Sequence, residues 1–301
     1  MRHLAASLAV AAVVCALVPV AVLAQETTGP SLGVANSLLD VEAAPTDIHE
    51  APVTVFNDGT VALQVDTINA DLLLDEHGRA TPDPENGDHR WSAASWISQS
   101  DRSFVLEGDE ERDVWIRIEV PPDAEPGTHK ALVVFRGTPR GADASLIVRP
   151  NVAVAVLVSV PGDVIEDPTL ELDFPGFTLF DPRAEAVLAN AGNVHYFADG
   201  GVEFARTGGD VCGACDPELP RRGALVLPGE TRAVPVAWSE APLVGYFDAR
   251  ADFTTSDGET LSASDSFLLV RWQLIAAMLV GILFIAGGVA FGRKYRVVPR
   301  E

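Results

Sequence analysis

The sequence predicts an all-β protein that ends in one membrane-spanning helix, and three observations predict it. Between residues 25 and 271 no long helical periodicity occurs. Short Val-rich runs there alternate apolar with polar residues and are bounded by Gly, Pro, Asn and Asp. One order of turn and strand signals appears twice in that stretch. Beyond it lies an uncharged apolar run of membrane length, Leu274 to Phe291, closed by a cluster of bases.

In chain order, Met1-Arg2-His3 opens an uncharged apolar run from Leu4 to Leu23, followed by Ala24-Gln25. A basic start, an apolar centre and small residues before a polar stretch read as a secretory signal over residues 1–24, cleaved after Ala24. Cys15 follows Val13-Val14 where a lipidation site wants a small residue, so a plain signal is the reading.

The strands come next. Pro52–Phe56, Val114–Val120, Lys130–Phe135 and Val152–Val158 are the clearest. In Val114–Val120 the apolar residues 114, 116, 118 and 120 share one side, and Trp115, Arg117 and Glu119 share the other. That is the period of a strand with one buried face. Asn57-Asp-Gly59 is echoed by Asn190-Ala-Gly192, and Leu106-Glu-Gly108 by Leu227-Pro-Gly229. Pro126-Gly127 and Gly245-Tyr246 then each open a strand with an aromatic end, Phe135 and Phe253. Asn-x-Gly is expected to make a tight turn through its tolerance of positive φ. The Gly-acid element is expected to make a hairpin into Val114–Val120 or Ala233–Trp238. The first copy is the longer, and the polar stretch Asp75 to Arg90, broken by Pro82, Pro84 and Gly87, accounts for the excess. The expected architecture is two tandem Ig-like β-sandwiches, residues 25–160 and 161–271, meeting near Pro161-Gly162.

The last element is a helix over 272–292. At ~1.5 Å per residue the uncharged run spans about 27 Å, close to a hydrocarbon core of about 30 Å. Trp272 stands at interface depth, and Arg293, Lys294, Arg296 and Arg300 follow the run, against Arg271 alone before it. The base-rich tail, 293–301, is therefore expected on the cytoplasmic side of the cell membrane, a single-pass type I arrangement with an extracytoplasmic ectodomain. Gly288-Val-Ala-Phe-Gly292 has the spacing for close helix pairing, hence a weak homodimer through Gly288 and Gly292.

Charge narrows the partners. The 301 residues hold 21 Lys and Arg against 43 Asp and Glu, a net charge of -22. Of the acids only Glu301 lies outside residues 25–271, so the ectodomain carries the whole excess. Nucleic acid, which needs a basic footprint, is excluded as a partner.

Candidate chemistry is sparse. Cys212-Gly-Ala-Cys215 forms an even pair in an oxidising place, with Gly and Pro on either side, and the expectation is a disulfide that staples a loop. A redox pair would want a helix N-terminus, and a metal site would want two further ligands, of which His195 is the nearest histidine. The acidic loops Asp83–Asp88 and Gly108–Glu111 offer oxygens but not EF-hand spacing. The histidines match no metalloprotease motif, and His77 and His129 read as ordinary exposed residues. No nucleophile elbow or phosphate loop is present, so neither catalysis nor a cofactor or metal is expected. Tryptophan offers large area with a polar handle, which makes Trp91, Trp96 and Trp115 the binding candidates, with Trp96 also placed to plug the core.

Asn57-Asp-Gly59, Ser95-Trp96-Ile97, Val105–Gly108, Val120-Pro-Pro122 and Pro126-Gly127-Thr128 together resemble the first domain of bacterial WxL-interacting surface proteins. The resemblance implies a peptidoglycan-binding Ig-like domain, a second β-sandwich, a membrane helix and a short basic tail. Here the second unit is short for that family, and it carries a CxxC the pattern does not require. The function expected is tethering of cell-wall polymer (peptidoglycan) or of another surface protein. The rivals are a scaffold that assembles through its membrane helix and a thiol oxidoreductase using Cys212 and Cys215.

Overall fold

Two pairs of facing sheets and one terminal helix make up the computed structural model, which describes residues 29–75, 78–83, 90–141, 148–215, 217 and 219–294. The expected signal over 1–24, His77, His89, most of the acidic loop 83–88 and the tail with Arg296 lie outside those residues. In the first sandwich a four-stranded sheet runs Gly33–Val34, Ile48–Asn57, Glu110–Glu119, Ile97–Gln99. It faces a five-stranded sheet ordered Leu38–Glu42, Asn151–Val160, Gly127–Pro139, Leu63–Ala70, Ser103–Leu106. The second sandwich packs Pro168–Asp173, Arg183–Asn190 and Thr231–Ala237 against a larger sheet. That sheet runs Phe177–Thr178, Thr260–Val270, Val244–Thr255, Tyr196–Arg206, Val211–Cys215, and Ala224–Val226 also pairs with Tyr196–Arg206. The all-β Ig-like fold class is thus as the sequence predicts.

Strand periodicity explains each core. Val114, Ile116, Ile118 and Val120 are buried in the first sandwich, while Trp115 on the other face is 49% exposed. Phe247, Ala249, Ala251 and Phe253 do the same for the second. Gly127–Pro139 breaks the alternation because both faces are covered from Gly127 to Phe135. Ala131, Val133 and Phe135 enter the first core, whereas Leu132 and Val134 enter a third cluster with Leu72, Leu157 and Leu227. That cluster joins the two sandwiches, and the continuous apolar run Ala131–Phe135 is its sequence signature.

The repeated Asn-x-Gly element is a clamp, not a positive-φ turn. Asn57 Nδ2 donates to the carbonyls of Val61 (2.9 Å), Glu107 (3.0 Å) and Leu106 (3.4 Å), and its Oδ1 accepts from Gly59 N–H. Asn190 repeats this, donating to Val194 (2.7 Å) and Val226 (3.3 Å) and accepting from Gly192 N–H. Neither glycine has a positive φ. Each is required because a Cβ would stand 2.1 Å from a passing carbonyl oxygen, that of Gly29 at Gly59 and of Ile165 at Gly192.

The Gly-acid element also differs from expectation. Ser103–Leu106 pairs with Leu63–Ala70 in one sheet while Glu110–Glu119 lies in the other, so the turn between them crosses between sheets. Ala224–Val226 and Thr231–Ala237 are divided in the same way. The carbonyls that a hairpin would pair are taken instead by the asparagine clamp. Left-handed residues sit in these turns, Asp109 at φ 58° and Gly229 at φ 72°.

The extra stretch of the first copy forms a hairpin, Leu72–Leu74 with Ala80–Pro82, and Leu72 and Leu74 belong to the cluster between the sandwiches. Gly78 of the same hairpin lies against the Arg232 guanidinium, where a Cβ would stand 2.3 Å from Cζ. Polar contacts finish this interface. Lys130 pairs with Glu230, Thr128 N–H donates to Asn193 O at 2.8 Å, and Asn193 Nδ2 donates to Pro126 O at 3.0 Å and Asp163 O at 2.9 Å. The Thr128 hydroxyl accepts from His195 N–H and lies 3.0 Å from His195 Nδ1, while His195 Nε2 faces Asp40 at 3.6 Å.

That last contact gives a pH prediction. The approach of His195, helped by the charge of Arg222, holds the Asp40 carboxyl below the usual carboxylate range despite partial burial. A carboxylate depressed in the folded state adds stability that is fully present above its unfolded pKa of about 3.9 and is lost as pH falls through the folded value. Asp40→Asn is therefore expected to flatten the acid limb of stability below about pH 4, which thermal unfolding from pH 2 to 7 will show.

Candidate functional site

The site is built where the inserted stretch rejoins the first sandwich. Ala94–Trp96 form a single 3₁₀ turn, and Asn69 Nδ2 fixes it by donating to Ile97 O at 2.7 Å and Ala94 O at 3.3 Å. Upstream, Lys130 N–H donates to Trp91 O and Ala93 N–H to Lys130 O, so residues 91–93 run beside the Gly127–Pro139 strand. These two ties bring both Trp91 and Trp96 against His129, with ring centroids at 5.4 Å and 4.3 Å.

His129 was expected to be exposed, and it is buried. Its Nε2 meets Glu125 O at 2.9 Å, and Nδ1 is buried with no hydrogen-bond partner among the described residues. Burial against two indoles disfavours the imidazolium and lowers the His129 pKa, against the raising effect of Glu125. No local signal in the sequence marks this burial: Thr128 and Lys130 flank the residue, and the apolar run begins only at Ala131.

Outside the aromatic cluster lies a hollow of about 600 Å³ lined by Trp96, His129, Asp71, Ser92, Arg90 and Glu125 among others. Ser92 Oγ donates to Asp71, and Arg90 Nε donates to Glu125 Oε2 at 2.8 Å. The Arg90 guanidinium also lies over the Trp91 ring, 4.8 Å from its centroid. Arg90 and Glu125 form a wall shared with a second hollow of about 470 Å³, which takes in Trp91, Pro126 and, from the second sandwich, Asn193 and Gly229. The two hollows make an extended groove with aromatic surface, carboxylates and a guanidinium.

The other candidates stand apart. Trp115 is exposed on the outer face of the four-stranded sheet and lines neither hollow. Trp96 packs against the first core and also borders the larger hollow. Asp109 and Glu110 belong to the crossover turn, where Glu110 Oε2 accepts from Glu107 N–H at 2.7 Å.

Cys212 and Cys215 correct the expected staple. Both lie in the strand Val211–Cys215, unbonded, with Cys212 exposed and Cys215 packed against the second core. Three residues of strand separate Cα atoms by about 10 Å, beyond the ~7 Å a disulfide tolerates. The strand exists because Gly213 lets it pass under Trp238, where a Cβ would stand 2.4 Å from Nε1. In a chain carrying Cys15→Ala, two thiols are expected to react with a soluble aromatic disulfide, Cys212 before Cys215, and a count of zero would restore the staple.

Trp272–Lys294 is a single helix, apolar and long enough over Trp272–Phe291 to cross a membrane. Gly288 has open space around it, and Gly292, Arg293 and Lys294 complete the last turns.

Comparison with known proteins gives the chain no family. No family model matches it, and no curated protein does. Among solved structures it is similar to the YadV chaperone at 6% identity and TM-score 0.44, over 78% of this chain and 99% of that one. It is similar also to the E. coli chaperone DraB at 13% and 0.40, over 80% and 97%. A Salmonella enterica SafA pilin–SafB chaperone complex gives 12% and 0.41, over 81% and 98%. At TM-scores this low the likeness carries no functional information.

Proposed function

We propose that the protein is a membrane-anchored bacterial surface protein that binds cell-wall polymer, in the class of peptidoglycan, without catalysis. The observation that carries the reading is the groove that runs from Trp96 past the Arg90–Glu125 pair to Trp91 and Asn193. Two adjoining hollows suit successive units of a chain, the indoles suit the apolar faces of sugar rings, and the carboxylates and amides suit hydroxyl and acetamido groups. The resemblance of the Asn57, Trp96 and Gly127 motifs to WxL-interacting surface proteins supports the same assignment, and the terminal helix supplies the anchor. A partner surface protein remains the other occupant that such a groove fits.

The test is co-sedimentation of the full-length protein, in detergent, with insoluble cell wall. Trp96→Ala is expected to weaken pelleting by at least about tenfold, the scale of losing a central aromatic anchor. Trp91→Ala should do nearly as much, and Trp115→Ala, outside the groove, less than about twofold. Equal effects at all three tryptophans, or no pelleting of the parent protein, would discard the wall-binding reading in favour of a protein partner.

A further inference from the structure

The strand Thr260–Val270 runs into the helix Trp272–Lys294 with only Arg271 between them. No flexible tether separates sandwich from helix. The junction is also tied from both sides: Arg271 N–H donates to Leu243 O at 2.8 Å and Trp272 N–H to Leu179 O at 3.0 Å. Arg271 Nη2 pairs with Asp181 and donates to Ser239 O at 3.2 Å. Whatever medium surrounds Trp272 therefore also meets the loops that hold it.

Those loops are apolar on the outside. Phe180, next to Asp181, is 68% exposed, and Leu243 and Val244 are exposed beside Arg271. One step up the sheet, Phe177, Leu268 and Tyr246 form a register row across three strands, all on the outer face and all exposed. The rows above it change character abruptly. Asp248 pairs with Ser266, Arg250 with Ser264, Asp252 with Ser262 and Thr254 with Thr260, all on that same face. The apolar zone thus ends about 10 Å above Arg271, three residues of strand at ~3.3 Å each. That height is close to the depth, about 5–10 Å, to which apolar protein surfaces enter the headgroup boundary of a bilayer.

We infer that the base of the second sandwich is a membrane-docking surface. Phe177, Phe180, Leu243, Val244, Tyr246 and Leu268 form a collar around the helix entry, seated in the lipid interfacial zone, and hold the ectodomain at a fixed attitude to the bilayer. The inference rests on the reading that Trp272–Lys294 crosses a membrane. The occupant is lipid because the patch is continuous with the helix surface that would face acyl chains. The base at the junction agrees with this: Arg271 is neutralised by its pair with Asp181.

The experiment places an environment-sensitive fluorophore on single cysteines of the full-length protein in phosphatidylcholine liposomes. The parent carries Cys15→Ala, Cys212→Ser and Cys215→Ser. Labels at Phe180→Cys and Tyr246→Cys should be quenched at least twofold by lipids with a nitroxide near the headgroup, and a label at Asp252→Cys should not. Leu283→Cys, mid-helix, should be quenched by a nitroxide deep in the acyl chain. Collar labels that behave like Asp252→Cys while Leu283→Cys is quenched would overturn the docking surface and leave the membrane span standing. An unquenched Leu283→Cys would overturn the span, and the docking surface with it.

Discussion

Asn57→Ala and Asn190→Ala are each expected to lower stability by about 3 kcal/mol. Each asparagine is buried, and each holds carbonyls from two different segments of its sandwich. A net hydrogen bond contributes about 1 kcal/mol, but an orphaned buried carbonyl costs about 1–3 kcal/mol, so the loss exceeds a simple count of bonds. Asn57→Asp separates the two halves of the clamp. Its carboxylate still accepts from Gly59 N–H and has nothing to donate to Val61, Leu106 or Glu107, so it should be about as unstable as Asn57→Ala. The two asparagines share no partner, and the double variant should show additive losses in urea unfolding. Substitutions at Gly59 or Gly192 test the other half. Alanine there meets backbone 2.1 Å away, and backbone cannot rotate aside as a side chain can.

These clamps show how far the sequence could be read. The repeat was visible in the letters, and Asn57 and Asn190 occupy equivalent places, as the repeat requires. The mechanism was not visible, because a tight turn and a clamp on passing strands use the same residues. What separates them is the segment that crowds each glycine, residue 29 or 165, which no local motif announces. The hairpin reading failed for a related reason: a Gly-acid turn has the same composition whether its strands pair or part into two sheets.

The groove was half legible. Trp91 and Trp96 stood out as aromatics beside an inserted stretch, and Trp115 as an indole on the polar face of its strand; only the fold shows that this face lies away from both hollows. His129 gave no sign of burial because polar Thr128 and Lys130 flank it, and the indoles that cover it, Trp91 and Trp96, come from a segment distant in sequence. The CxxC misled for the opposite reason. Neighbouring Gly and Pro signalled a loop, while the space that Gly213 leaves for Trp238 belongs to the core of a sheet.

Glu230→Ala is expected to cost about 2 kcal/mol, and more than Lys130→Met. The chain has two lysines, and Lys130 is the one held at the junction of the sandwiches, its side chain 11% exposed against 25% for Glu230. Removing the partner of a buried charge costs about 3–5 kcal/mol in a dry interior, discounted here for the water that still reaches Glu230. Without Glu230 the ammonium stays in a largely buried place with no carboxylate paired to it. Without Lys130 the carboxylate has only to turn toward solvent. The double variant Lys130→Met, Glu230→Met should recover most of the loss, since apolar side chains of similar volume replace a pair whose desolvation offsets much of its attraction. Urea unfolding of the three variants at low and high salt reads this directly. Raised salt should change the parent little, because a shielded pair lies largely outside the reach of screening ions. Cost in the order Glu230→Ala, then Lys130→Met, then the double variant would mean that the junction is held by its leucines and given its register by the ion pair. Equal losses in all three would instead make the pair itself the main contribution, and would leave the leucine cluster as filling around it.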